Sequence, residues 1–151
     1  MRTKVLILGH NGVVGSAIFR TLNTVKTLEV FGRSRKEFDA NDIFQLENTV
    51  AKIKPDVLIN AVGKVGGIEE NLKRPVELFL SNIRVGSNIL EISHRLNIER
   101  YIQFGPACMY PTGISGPISE SNLGSGQVEK SSETYATAKI ALNRLLLAYT
   151  Q

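Results

Sequence analysis

The sequence is poor in the features that mark several special classes of protein. Cys108 is its single cysteine, so no internal disulfide can form and the cysteine spacing of a zinc cluster is absent. No run of about 18 apolar residues is present, and residues 1–3 lead directly into a strand-like segment rather than a basic and apolar leader. We therefore expect a soluble, cytoplasmic protein that contacts no membrane and binds no metal.

Acidic residues are in the minority. The sequence has 18 Lys and Arg against 14 Asp and Glu, which gives a net charge of +4, and an excess of this sign is common in nucleic-acid-binding proteins. Here, however, the basic residues fall in separate segments. The one tight cluster, Arg33, Arg35 and Lys36, is too short for the footprint of a duplex. We therefore expect no nucleic-acid partner.

Length and segment order together predict the fold class. The 151 residues, 42% hydrophobic and 21% charged, fit one globular domain spanning residues 1–151. Strands are predicted at residues 4–8, 28–31, 56–61 and 101–104, and helices at residues 14–22, 75–97 and 134–149, with a further helix capped by Asn41 or Asp42 and ended by Pro55. This alternation predicts an α/β fold with an open, doubly wound parallel sheet of about five strands and helices on both faces.

Residues 105–133 interrupt the alternation. They are rich in Gly, Ser and Pro and show little periodicity. Loops longer than about 15 residues in a compact domain are usually functional or disordered. Because this stretch follows the carboxyl end of a strand, where open α/β sheets bind ligands, we favour a functional role for it.

Three glycines follow the first predicted strand. Gly9, Gly12 and Gly15 form the pattern G-x-x-G-x-x-G between that strand and the first helix. Glycine here lets the chain turn tightly, approach a pyrophosphate and pack the helix on the sheet, and the helix amino end then holds the phosphates. The pattern predicts a dinucleotide site formed by Gly9, Asn11, Gly12, Val13, Val14 and Gly15. The alternative is a glycine turn that serves only strand–helix packing.

The second strand is followed by basic residues. An acidic residue at this point accepts the ribose hydroxyls of NAD, whereas basic residues accommodate the 2′-phosphate of NADP. This chain has Arg33, Ser34 and Arg35 there and no acid. We therefore predict NADP as the cofactor, with NAD as the alternative cofactor and a solvated basic loop as the alternative interpretation.

Tyr135 and Lys139 lie four residues apart at the start of the last predicted helix. This spacing places both side chains on one helix face. A free phenol has a pKa of about 10, and an adjacent ammonium lowers that pKa by stabilising the phenolate. The pair is therefore a candidate proton donor with its cationic neighbour. The alternative is a packed aromatic ring beside a solvated lysine.

Together these residues resemble the extended short-chain dehydrogenase/reductases, a superfamily of NAD(P)-dependent epimerases and dehydratases, and more closely the GDP-L-fucose synthases. The matching segments span nearly the whole chain in the family's order. They are GHNGVVGSAI (residues 9–18), NAVGKVGGI (60–68), SNIRVGSNIL (81–90), CMYP (108–111) and YATAK (135–139). The KVGGI segment is the most specific of them, whereas the glycine turn and the Tyr–Lys pair belong to the wider superfamily.

The resemblance implies a Rossmann-type domain and a defined chemistry. Members of the family use NADPH to convert GDP-4-keto-6-deoxymannose to GDP-L-fucose, by epimerising two ring carbons and then reducing the ketone. By this resemblance, Tyr135 protonates the ketone oxygen as hydride arrives, and Lys139 tunes the tyrosine and binds the nicotinamide ribose. Cys108 matches the epimerisation acid/base. The alternative for Cys108 is a small buried thiol.

Other positions are assigned by the resemblance alone. Asp39 matches an adenine-contacting residue, and Asn82 matches a helix asparagine that supports the active site. Cofactor contacts are further implied at Ala40, Ala61 and Val62.

Three departures from the family's pattern limit what the resemblance implies. Pro106 stands where the family has a catalytic Ser or Thr, two residues before Cys108, and it offers neither a hydroxyl nor an N–H, so ketone reduction is expected to suffer. Asn11 replaces a basic residue of the glycine turn, which leaves the 2′-phosphate to Arg33 and Arg35. The chain also stops before the family's substrate domain, which carries the second epimerisation group, a histidine.

Neither histidine of this chain matches that group. His10 lies in the glycine turn and His94 lies late in a predicted helix, so both are interpreted as structural or solvated.

Three hypotheses follow. The first is the NADP-binding domain of a nucleotide-sugar epimerase/reductase similar to GDP-L-fucose synthase, whose site for a GDP-sugar is incomplete in this chain. The second is a non-catalytic dinucleotide-binding or sensing module. The third is an oligomerisation unit, a homodimer through the predicted helices 75–97 and 134–149, with an apolar face supplied by Leu142, Leu145 and Leu146.

Overall fold

The structure, a computed structural model, describes residues 1–150 of the chain. Its strands and helices in this range are β1 (Thr3–Leu8), α1 (Val13–Leu22), β2 (Leu28–Arg33), α2 (Ile43–Ile53), β3 (Val57–Asn60), α3 (Ile68–Lys73), α4 (Pro75–Arg95), β4 (Arg100–Gln103) and α5 (Glu133–Tyr149). Short 3-10 turns lie at Ala107–Met109, Glu120–Asn122 and Lys130–Ser132. Every predicted strand and helix is present, with boundaries shifted by a few residues.

The four strands form one parallel sheet in the order β2-β1-β3-β4. This is the predicted open, doubly wound α/β sheet. The sheet has four strands within residues 1–150, against about five predicted. The Gly-, Ser- and Pro-rich residues 105–133, expected to be a long loop, contain three short 3-10 turns and no strand, because glycine and proline weaken strand pairing.

Helices cover both faces of the sheet. One face packs against α2 and α4, and its fully buried core residues include Leu6, Leu8, Leu46, Val50, Leu58, Ile89 and Ile92. The other face packs against α1, where the sheet contributes Val5, Ile7 and Ile59. Each fully buried aliphatic side chain contributes about 1.5–3 kcal/mol, so these two layers hold the strands whose ends form the site.

Helix α2 begins at one of the two predicted caps. The Asp42 carboxylate accepts hydrogen bonds from the N–H groups of Phe44 and Gln45, at 3.0 and 3.1 Å. These bonds satisfy two of the N–H groups that a helix start leaves without partners. At the other end Lys54 has a left-handed φ of 50°, and Pro55 follows, as predicted.

The chain divides into two compact units, and one of the three breaks between them falls within α4. The first unit consists of residues 1–63 and 85–104 and contains the whole sheet with α1 and α2. The second consists of residues 64–84 and the chain from residue 105 onward. It contains α3, which sequence reasoning missed because six residues are too few to show a helical period.

Two kinds of feature are absent from residues 1–150. No helix there is long and apolar enough to cross a membrane. The same residues contain no group of three or more His, Cys, Asp or Glu side chains that could hold a metal ion.

Candidate functional site

A cavity of about 230 Å³ lies in the first unit, at the carboxyl ends of β1, β2 and β3. Parallel sheets bind ligands at this edge. The predicted cofactor residues that line it are Gly9, Asn11, Gly12, Ser34, Arg35, Asp39, Ala40, Ala61 and Val62. Phe38, Asn41, Gly63 and Val85 complete the lining. Residues from three separate segments of the sequence thus come together at this edge of the sheet.

The glycine turn packs tightly against neighbouring backbone. Gly9 has a φ of +84°, and a Cβ there would lie 2.9 Å from the carbonyl oxygen of Ala61. A Cβ on Gly15 would lie 2.3 Å from the carbonyl oxygen of Gly9. Position 9 therefore requires glycine both for its left-handed φ and because there is no room for a Cβ. Position 15 requires glycine only because there is no room for a Cβ. Strand–helix packing, the alternative interpretation, accounts for Gly15 without a ligand.

The start of α1 borders the cavity through Gly12. Gly12 precedes the helix without any side-chain cap, and Val13 and Val14 of the first turn are 91% and 45% exposed. An uncapped helix start offers N–H groups and partial positive charge to a phosphate. Val13, Val14 and the buried Gly15 do not line the cavity. They belong to the helix whose amino end faces it.

The two arginines after β2 have different surroundings. Arg35 lines the cavity, whereas Arg33 donates to the carbonyl of Gly32 at 2.7 Å and lies 3.8 Å from the Glu37 carboxylate. Glu37 also accepts from the N–H and the hydroxyl of Ser34, at 2.7 and 2.9 Å. These hydrogen bonds from Ser34, and then the charge of Arg33, hold the pKa of Glu37 below its usual value. Arg33 is therefore engaged within its own loop.

Sequence reasoning missed Glu37. The spacing S-x-x-E from Ser34 is the pattern of a capping box, in which the glutamate accepts the N–H of the serine three residues earlier. That pattern in the sequence could have predicted the turn that places Arg35 at the cavity.

Asp39 lies on the cavity wall as a fixed carboxylate. Its Oδ1 accepts hydrogen bonds from the backbone N–H and the side-chain Nδ2 of Asn41, both at 2.9 Å. The backbone bond and then the side-chain bond lower the pKa of Asp39. This carboxylate is therefore ionised at neutral pH.

The Tyr–Lys pair lies on α5 in the second unit. Tyr135 is 8% exposed and Lys139 is 7% exposed. The Lys139 Nζ lies 5.9 Å from the centroid of the Tyr135 ring, so the two side chains share a helix face as their spacing predicts. Lys139 is therefore not the solvated lysine of the alternative interpretation.

Burial, rather than the lysine charge, dominates the titration of this pair. Burial raises the pKa of Tyr135, and the charge of the Cys108 thiolate raises it further. Burial also lowers the pKa of Lys139. The direction for Tyr135 is opposite to the one expected from an adjacent cation. The cause is that both groups are removed from water, and the lysine lies over the ring.

Cys108 is a free, half-buried thiol in the 3-10 turn Ala107–Met109. This turn contacts α5, which carries Tyr135, so two of the candidate acid/base groups lie on neighbouring elements of the second unit. The thiol is not the fully buried group that a purely structural interpretation requires.

Pro106 lines a second cavity, of about 620 Å³, within the second unit. The proline brings no hydroxyl to it. Three hydroxyl groups of the following loop donate to nearby oxygens of that loop, at 3.3–3.5 Å: Thr112, Ser131 and Ser132.

Asn82 holds the KVGGI segment. This side chain is 2% exposed; its Oδ1 accepts the N–H of Lys64 at 3.2 Å, and its Nδ2 donates to the carbonyl of Lys64 at 2.8 Å and to that of Leu78 at 2.7 Å. The Lys64 ammonium also pairs with Glu77. What Asn82 supports directly is thus the backbone at residue 64.

His10 packs against the sheet edge. Its ring centroid lies 5.3 Å from that of Phe19, and the ring fills the space that a Cβ on Gly32 would need. Its Nδ1 is buried and has no hydrogen-bond partner within residues 1–150. His94 lies in the last turn of α4. The structural interpretation therefore holds for His10.

Known proteins similar to this chain point to one family. The model of the NAD dependent epimerase/dehydratase family matches residues 5–151. The chain is 36% identical, over 97% of its length, to the GDP-L-fucose synthase of Sinorhizobium fredii, and 34% identical, over 99%, to that of Escherichia coli. It covers 46% and 47% of those proteins. The chain thus spans about half the length of the curated relatives it matches.

Solved structures show the same likeness. A GDP-L-fucose synthetase from Naegleria fowleri bound to NADP superposes with a TM-score of 0.87 at 26% identity, covering 98% of this chain and 48% of that one. A protein named DdhaC superposes with a TM-score of 0.92 at 26% identity, covering 99% of this chain and 43% of that one.

Proposed function

The chain belongs to the NAD dependent epimerase/dehydratase family, and on that basis we propose that it is the NADP-binding part of a nucleotide-sugar epimerase/reductase related to the GDP-L-fucose synthases. The cofactor binds in the cavity of the first unit. The sugar chemistry belongs to side chains of the second unit. Because the chain spans about half the length of its relatives, the complete reaction is proposed only together with the half that those relatives carry in addition.

The observation that carries this proposal is the cavity at the carboxyl ends of the strands. Gly9 brings backbone to its floor, Gly12 places the uncapped start of α1 at its border, and Arg35 lines its wall. A helix start suits a pyrophosphate, and a guanidinium suits a 2′-phosphate monoester. The groups present therefore fit NADP, which the Naegleria fowleri relative binds.

The second unit supplies the groups for proton transfer. Tyr135 donates its hydroxyl proton to the ketone oxygen of the substrate, and its raised pKa keeps the phenol protonated at neutral pH. When NADPH is bound, Lys139 would hold its nicotinamide ribose. Cys108 would be one of the two acid/base groups that exchange the proton at the epimerised carbons, and the second would come from the half that the relatives carry in addition. NADPH, when bound, supplies the hydride. Pro106 offers no hydroxyl to the ketone, so the tyrosine is the sole donor proposed for that oxygen.

A non-catalytic dinucleotide-binding module is the second candidate. Pro106 favours it, since the family's catalytic hydroxyl is missing at this position. The hydroxyl groups of Thr112, Ser131 and Ser132 are already bonded within their loop. Such a module would keep the first cavity and lose turnover.

Turnover and binding separate the two candidates. The chain, completed with the half that its relatives carry in addition, is mixed with NADPH and GDP-4-keto-6-deoxymannose, and NADPH oxidation is followed by absorbance beside a binding titration. An enzyme oxidises NADPH and loses about a hundredfold or more of that rate in Tyr135→Phe, whose NADPH affinity is unchanged. Binding without turnover in either protein supports the module. The absence of both contradicts both candidates.

A homodimer remains a prediction. Leu142, named from the sequence as part of an apolar contact face, is 1% exposed, because it packs within the chain. That residue is therefore excluded from any interface, whereas Leu147 on the same helix is 45% exposed. We propose that a dimer through α4 and α5 would use such exposed positions, and light scattering that finds only monomer at high concentration would contradict it.

A further inference from the structure

A buried polar network joins the ends of β3 and β4 in the first unit. Asn60 is the last residue of β3, and it pairs with Gln103 of β4, while Leu58 pairs with Tyr101. The alternation of side chains along a strand therefore puts Asn60, Tyr101 and Gln103 on one face of the sheet. Asn60 is only 3% exposed, and a buried amide is costly unless its groups are bonded.

Hydrogen bonds to Tyr101 and Gln103 fix the orientation of the Asn60 amide. Its Nδ2 donates to the hydroxyl oxygen of Tyr101 at 3.1 Å and to the Oε1 of Gln103 at 3.4 Å. The Tyr101 hydroxyl in turn donates to the same Oε1 at 2.7 Å. Burial raises the pKa of Tyr101 to about 12, so the phenol keeps its proton at neutral pH. The amide oxygen of Asn60 is thereby directed away from β4.

That oxygen accepts the N–H of Val62 at 3.0 Å. The sheet ladder ends one residue earlier, where Ala61 donates to the carbonyl of Leu8 at 3.0 Å. The Asn60 side chain thus supplies the hydrogen-bond acceptor for the first backbone N–H beyond the sheet ladder. Ala61, Val62 and Gly63 all line the 230 Å³ cavity, whereas Asn60 does not.

The same backbone also meets the glycine turn. A Cβ on Gly9 would lie 2.9 Å from the carbonyl oxygen of Ala61 and 3.1 Å from the nitrogen of Val62. The backbone of residues 61 and 62 thus lies so close to Gly9 that no side-chain carbon fits between them. A small displacement of Val62 therefore changes the width of the cavity beside Gly9.

We propose that Asn60 is a positioning residue for the dinucleotide, whose Oδ1 holds the backbone of Val62 so that residues 61–63 form the cavity wall opposite the glycine turn. Tyr101 and Gln103 both accept from the Asn60 Nδ2, and Gln103 alone keeps the amide oriented when the Tyr101 hydroxyl is removed. This inference rests on the proposed function, because it requires the cavity to be the NADP site.

Two substitutions at one position separate the bond to Val62 from the rest of the network. Asn60→Asp keeps an oxygen that accepts the Val62 N–H but loses the amide hydrogens directed at Tyr101 and Gln103. Asn60→Leu loses both. Tyr101→Phe leaves the bond to Val62 in place and removes a hydroxyl from the network, so it is the matched control for a loss of stability alone.

The experiment measures NADPH affinity by calorimetric titration and the melting temperature of the same proteins. Asn60→Leu is expected to weaken NADPH binding about tenfold, while Asn60→Asp and Tyr101→Phe stay within about twofold of the unaltered chain, although both melt at lower temperature. If Asn60→Leu does not fold, Asn60→Ala, which leaves room for water beside Tyr101, provides the same comparison.

Two results would overturn the inference. One is a folded Asn60→Leu or Asn60→Ala protein that binds NADPH as tightly as the unaltered chain. The other is a loss of affinity in all variants that simply follows their melting temperatures, which would make the network a matter of stability only. Failure of the unaltered chain to bind NADPH would instead overturn the proposed function, and the role of Asn60 with it.

Discussion

At the scale of single residues, the two arginines after β2 show how the site departs from what the sequence could indicate. Both are basic and two positions apart, and nothing in the sequence separates them except the glutamate that follows. In the structure Glu37 draws Arg33 toward itself, and Arg35 alone lines the cavity. Which of the two arginines reaches the cavity depends on side-chain orientation. Residue type and spacing do not determine that orientation.

The arginines therefore differ in the effect of their removal. Arg35→Ala is expected to weaken NADPH binding about tenfold or more and to leave NADH binding within about twofold, since a guanidinium at the cavity contacts only the 2′-phosphate. Arg33→Ala, the matched control, should weaken NADPH binding by no more than about threefold. Calorimetric titration at fixed low salt checks this, because salt screens such contacts. A stronger effect of Arg33→Ala than of Arg35→Ala would contradict the assignment.

Tyr101 predicts a dependence of stability on alkaline pH. Its pKa is about 12 in the folded chain and about 10 in an unfolded one. The folded state therefore favours the protonated phenol, and the stability that Tyr101 contributes is complete below about pH 10 and is lost as the pH rises toward 12.

Urea unfolding of the unaltered chain and of Tyr101→Phe, which cannot ionise, isolates this effect. Between about pH 9 and about pH 11 the unaltered chain should lose about 1 kcal/mol more of its free energy of unfolding than the variant. An equal loss in both proteins would show that the phenol ionises as readily in the folded chain as in the unfolded one.

At the scale of elements, apolar runs and helical periods were sufficient to predict the strands and long helices. The pattern of α2 was correct, and its cap, Asp42, is one of the two residues predicted, because an N-cap is a local signal. The six residues of α3 and the 3-10 turns of residues 105–133 were missed, since they are too short to show a period. The raised pKa of Tyr135 also could not be predicted, because its spacing from Lys139 indicates proximity but not burial.

The junction of β1 and α1 gives a prediction at this scale. In Gly15→Ala the new Cβ would lie 2.3 Å from the Gly9 carbonyl oxygen, whereas in Gly12→Ala the closest atom is the same oxygen at 3.4 Å. Gly15→Ala should lower the free energy of unfolding by roughly 1–3 kcal/mol, and Gly12→Ala by less than about 1 kcal/mol. Equilibrium unfolding in urea measures both. Equal losses would mean that the helix does not approach the turn as closely as described.

At the scale of the whole molecule, the parallel sheet follows from the alternation of segments, and its carboxyl edge is where the cavity lies. Strands that are far apart in sequence, ending at Leu8, Arg33 and Asn60, bring their following residues together for that reason. The residues that line the 230 Å³ cavity fall in one unit, and the Tyr–Lys pair and Cys108 fall in the other. The cofactor cavity can thus be tested independently of sugar chemistry.

Titration of the unaltered chain with NADPH and, in parallel, with NADH shows whether the cavity at the carboxyl edge of the sheet is an NADP site. We expect saturable binding of one NADPH per chain and an affinity for NADPH about tenfold or more above that for NADH, since only NADPH carries the 2′-phosphate for Arg35. Binding of neither nucleotide, or an equal affinity for both, would contradict it.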